Sequence, residues 1–173
     1  MAYYVRKIAR AKWQKEPLNN DKDIAELEIK SVSADAITVC TKTYQGKLSL
    51  WKVESANNII EDIVPLILGF ERPDDCDIIY IAEEDLLEEG ITVEKSPGDA
   101  NTPIEELKET HYNAVVKDYA GLGKFAKVVL KSLVRHKRFK KREVKDKLKS
   151  MLDNNEINKD MISGKLYDKV KDV

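Results

Sequence analysis

At 173 residues the chain is long enough for one domain, or one domain with a helical appendage, and can bury a real hydrophobic core. Its 42% hydrophobic and 35% charged residues exclude an intrinsically disordered protein, and the longest uncharged apolar run, residues 63–70, contains Pro65 and is too short to span a bilayer. The net charge of -1 conceals blocks of +4 over residues 1–53, -14 over 54–110 and +9 over 111–173, a layout suited either to internal pairing or to two surfaces of opposite sign.

Residues 3–13 mix β-branched and aromatic side chains with alternating cations and read as a strand, followed by a surface loop at 14–23. Residues 24–29 alternate imperfectly, leaving strand or short helix open. The runs at 36–44 and 47–54, rich in Thr, Val, Leu and Trp and joined across Gly46, predict a β-hairpin. A helix capped by Ser55 is expected over 55–69, kinked or shortened at Pro65. Residues 71–77 read as a loop, 78–82 as a fully buried strand, 83–90 as one or two helical turns closed by Gly90, and 91–95 as another strand. That order hints at a βαβ-like unit.

Thr102, Pro103 and Glu105 form a capping signature, from which a helix is expected to run through His111 toward Lys117. After Gly121 and Gly123 a second helix carries Phe125, Ala126, Val129, Leu130 and Leu133 on one face, predicted to pack on the sheet. In that register positions 137, 140 and 141 fall on the packed face yet are Lys, so residues 135–142 form a solvated helical bridge or break the helix. Apolar spacing returns at Val144, Leu148 and Met151, a turn follows at 153–158, and a last helix carries Met161, Ile162, Leu166, Tyr167 and Val170. The expected architecture is α+β: a small mixed or antiparallel sheet from the N-terminal two thirds packed by helices over residues 1–134, then a basic helical hairpin at 135–173.

The stretch 131–149 carries ten Lys and Arg against Glu143 and Asp146. Arg135, Lys137, Arg138, Lys140, Lys141 and Arg142 would steer an acidic partner, with Phe139 as a packed anchor. The leading expectation is a non-catalytic cytoplasmic interaction protein that uses this arm, and the acidic middle of the chain, to bind a protein partner or a second copy of itself. The same arm would alternatively neutralise the phosphates of a nucleic acid, Phe139 stacking on an unpaired base. A second alternative is an enzyme in which folding brings His111 to a nucleophile or an acid. The arm lacks the wide apolar face of a membrane-surface helix, and the N-terminus has no continuous apolar segment of a secretory signal.

Motif support for catalysis or cofactors is lacking. Cys40 and Cys76 stand in no metal-binding or redox spacing, which suits a reducing compartment. The acid runs at 74–77 and 83–89 lack a cation-binding loop pattern, and residues 153–158 begin like a calcium loop but place Ile157 and Asn158 where a ligand and Gly belong. Gly121 to Lys124 is too short for a phosphate loop, and no serine-hydrolase elbow or dinucleotide turn is present. The terminal helices match a DNA-reading helix-turn-helix poorly, since Gly164 falls inside the proposed reading helix. No cofactor, metal or small-molecule ligand is expected.

Overall fold

The computed structural model describes residues 2–13, 32–53, 73–100, 102 and 104–171; the expected loop at 14–23, the ambiguous segment at 24–29 and the expected helix at 55–69 lie outside them. The described elements are β1 (Tyr3–Ile8), α1 (Arg10–Trp13), α2 (Ala34–Cys40), β2 (Lys47–Val53), β3 (Cys76–Ala82), α3 (Glu83–Glu88), β4 (Val93–Lys95), α4 (Glu105–Lys108), β5 (His111–Val115), α5 (Tyr119–Ser132), β6 (His136–Phe139), α6 (Lys141–Asp153) and α7 (Gly164–Val170). The six strands form one antiparallel sheet in the order β4-β5-β2-β1-β3-β6, within an α+β fold that ends in a helical region. No described helix is long and apolar enough to cross a membrane.

Alternation along the strands sorts two apolar cores onto opposite faces of the sheet. On one face Tyr4, Ile8, Leu48, Leu50, Ile79 and Ile81 meet Phe125, Ala126, Val129 and Leu130 of α5, joined by Trp13, Ala36 and Leu86. On the other, Val5, Trp51, Val53, Ile78 and Tyr80 meet Val144, Leu148 and Met151 of α6, then Ile157, Ile162, Leu166 and Val170. Strand β3 is buried on both sides, which is why its sequence is a continuous apolar run without alternation. The boundary expected at residue 134 falls between α5 and β6, and both the sheet and the second core run across it.

Several sequence expectations differ from the fold: residues 10–13, read as part of the first strand, form α1, and Met161 and Ile162 precede α7 instead of lying in it. The first arm of the predicted hairpin is helix α2, whose Ser33 hydroxyl accepts from the Ala36 N–H at 3.3 Å. Ala36 and Cys40, four apart, are buried together while Val39 is exposed, so packing selects the helical period over the β propensity of this run. The turn itself is present: Tyr44 and Lys47 exchange backbone hydrogen bonds across Gln45 and Gly46, both at positive φ. A Cβ at position 46 would also lie 3.3 Å from the Lys117 backbone.

The helix expected from Thr102 to Lys117 stops after one turn. Thr110 donates through both its N–H and its hydroxyl to the Leu107 carbonyl, and residues 111–115 enter the sheet between β2 and β4. Finally, β3 and β4 point the same way but have three strands between them, so they form no βαβ unit. Gly90, at φ +68°, closes α3 as expected, its N–H returning to the Leu87 carbonyl.

Candidate functional site

The basic stretch breaks where the apolar register fails, as its lysines require, but the break is an edge strand rather than an open bridge. Antiparallel pairing sets His136, Lys137, Arg138 and Phe139 opposite Ile79, Ile78, Asp77 and Cys76 of β3. This register delivers cations to the carboxylates that flank β3. Arg135 donates from Nε to the Tyr80 carbonyl at 2.8 Å and from Nη2 to Asp85 at 2.5 Å. Arg138 donates to Asp75 at 2.6 Å and to Asp77 at 3.4 Å. Lys141 gives its backbone N–H to Asp75 at 2.8 Å, and its ammonium lies 3.8 Å from Asp74.

Asp75 thus does the work of an anion at the start of α6, where backbone donors lack intrahelical partners. Arg138 first, and then the Lys141 N–H, hold its carboxyl below the usual range, and the pairing raises Arg138 in return. His136 Nε2 lies 2.8 Å from Asp77. Burial pulls the imidazole below its ordinary pKa and outweighs the carboxylate, which acts in the opposite direction. The clasp extends along α5, where Lys131 meets Glu88 at 2.6 Å and Lys127 lies 3.8 Å from Glu89.

The remaining predicted residues are arranged differently. Phe139 is half-buried against the second core, with the Lys137 ammonium 4.8 Å from its ring centroid, so its face is not an open stacking platform. Lys140 is exposed, and its N–H donates to Glu143 at 2.6 Å. Arg142 points outward, with 89% of its side chain exposed and Asp146 at 3.8 Å. Fold and sequence therefore bring Arg135, Arg138 and Lys141 onto acids that flank β3, and leave Lys140 and Arg142 exposed, the latter near Asp146 of its own helix.

A second polar cluster lies on the sheet around His111, the one member of it that the sequence singled out. His111 is 1% exposed, opposite Trp51 in the ladder, with ring centroids 5.0 Å apart edge to face. Its Nε2 is 2.5 Å from Ser49 Oγ, diagonally across β2 and β5, and its Nδ1 is 2.6 Å from the Ser96 carbonyl. The Ser96 hydroxyl and the Asn113 amide both donate to Asp99, at 2.5 and 2.8 Å, and hold that carboxyl below its usual range. Reading 111–115 as helix hid this arrangement. Alternation of His111 and Asn113 against Tyr112 and Ala114 is the signal that would have revealed it.

Among the described residues no group of three or more His, Cys, Asp or Glu side chains is placed to hold a metal ion. Comparison with protein-family models, with curated proteins and with solved structures finds no match to the chain.

Proposed function

We propose that the protein is a binding protein that engages an acidic protein partner through the start and outward side of α6 together with α7. The carrying observation is the uneven pairing of the basic stretch: Arg135 and Arg138 are hydrogen-bonded to carboxylates of the chain, whereas Lys141 and Arg142 lie 3.8 Å from Asp74 and Asp146 and are exposed together with Lys140. Lys165 and Lys169 add exposed cations on α7. Apolar residues of both helices are buried on the sheet, so these cations are displayed from a fixed surface, which favours electrostatic steering with little ordering cost. Exposed Glu84, Glu105 and Glu106 make a second copy of the chain the self-complementary form of the same partner.

Nucleic acid on this surface is the weaker reading, because Phe139 is packed under Lys137 and against the core. A cytoplasmic setting fits Cys40 and Cys76, both buried free thiols lodged in the cores on opposite faces of the sheet.

The test is a capture experiment from host extract, with and without nuclease, comparing wild type with a K140E/R142E double variant. Retention of an acidic protein after nuclease, lost in the variant, supports the proposal. Recovery of polynucleotide alone supports the rival reading, and equal capture by both proteins removes the surface from consideration.

A further inference from the structure

Beyond binding, we propose that Ser49 and His111 form an acyl-transfer site for small carboxylic esters, with Ser49 as nucleophile and His111 as its base. The assignment of protons follows from which groups can donate. The Ser96 carbonyl, 2.6 Å from His111 Nδ1, can only accept, so Nδ1 carries the ring proton. In the neutral ring the lone pair is then on Nε2, and the hydrogen between Nε2 and Ser49 Oγ, 2.5 Å apart, belongs to the serine. Ser49 donates to His111, which is the arrangement that activates a hydroxyl for attack.

Orientation and access agree with that assignment. The Ser96 N–H also binds the His111 carbonyl at 2.9 Å, and the ring abuts Trp51, so backbone and packing fix the imidazole on both sides. Ser49 is exposed while His111 is buried, leaving the nucleophile open and the base screened from water. Arg6 donates to the Ser49 carbonyl at 2.6 Å and to the Cys40 carbonyl, which anchors the strand beneath the hydroxyl. Burying an imidazole on a face otherwise lined by Val5, Trp51 and Val53 is costly unless each nitrogen is paired, and here both are.

The chemical step balances within the dyad, the ester and water. Ser49 Oγ bonds to the ester carbonyl carbon as its proton passes to His111 Nε2. The tetrahedral adduct then expels the alcohol oxygen, which leaves with that proton. Water repeats the sequence on the acyl-serine, giving the carboxylic acid and restoring Ser49. During each attack the imidazolium is stabilised by a charge-assisted bond from Nδ1 to the Ser96 carbonyl, with Asp99 within electrostatic reach. Ser49 is exposed on its strand, which suits the dyad to short esters with good leaving groups.

The test exposes the full-length protein to an alkyl fluorophosphonate, reads intact mass and maps the modified peptide, with p-nitrophenyl acetate hydrolysis in parallel. The expected result is a single phosphonyl adduct on Ser49, absent in S49A, with ester hydrolysis lost in the same variant. H111Q should label at least about 100-fold more slowly, the usual contribution of a positioned base. Should H111Q fail to fold, the wild-type and S49A results still decide, because Ser49 lies at the surface. An unlabelled wild type, or an adduct elsewhere that persists in S49A, overturns the proposal.

Discussion

The two halves of the basic stretch share a composition and have opposite settings. In the strand half, Arg135 and Arg138 lie against carboxylates brought up by β3 and α3, and the backbone of β6 is hydrogen-bonded into the sheet. In the helical half, Val144, Leu148 and Met151 supply the attachment, while Arg142 is exposed with only Asp146 of its own helix nearby, at 3.8 Å. Lysine and arginine density alone therefore says little about availability. What decides is whether the local backbone period places the charges on the same side as the buried residues or on the opposite one. In β6 the neighbouring strand supplies partners, whereas in α6 the helix turns Arg142 outward.

The largest effect that would break this comparison comes from the apolar side of α6. Leu148→Ala should cost about 3 kcal/mol in urea unfolding, because Leu148 is fully buried in the second core and the cavity cannot collapse freely. A loss below about 1 kcal/mol would mean that α6 is a detached arm. Next is Arg135→Ala, expected to cost about 2 kcal/mol since it strands Asp85 and the Tyr80 carbonyl, both bonded to one guanidinium. Arg142→Ala, by contrast, should change stability by less than about 0.5 kcal/mol. Equal effects at the two arginines would erase the distinction between the halves.

Titration sharpens the same contrast. The folded pKa of His136 is depressed, so the unfolded chain takes up a proton first, and stability should decline as pH falls below the ordinary imidazole value of about 6.5. H136Q should flatten that decline in melts recorded between pH 8 and 5. The Asp75 contribution is present above the ordinary carboxyl value of about 3.9 and is lost as pH drops through its lower folded value. Arg138→Ala removes an exposed pair, and whatever stability it costs should shrink as salt is added.

How much was legible depended on whether a segment's own pattern or its neighbours decided its structure. Helix α5 and the buried strand β3 were readable because Phe125, Ala126, Val129 and Leu130 show a clear helical spacing and residues 78–82 an unbroken apolar run. Residues 36–40 and 111–115 were misread because short β-branched or polar runs fit either period, and only packing on the sheet chooses between them. The candidate site suffered most. Cations were visible by counting, but their carboxylate partners lie some fifty to sixty residues away and meet them only through the pairing of β3 with β6. Ser49 and His111 are likewise joined only across strands.

Amide hydrogen exchange through residues 133–143 tests the central division most directly. Slow exchange is predicted at the β6 amides that face β3 and at Lys141, whose N–H is bound by Asp75, with loss of protection at Lys141 when the pH is lowered enough to protonate that carboxyl. Uniformly fast exchange from His136 to Lys141 at neutral pH would show the whole basic stretch to be open, contradicting the account.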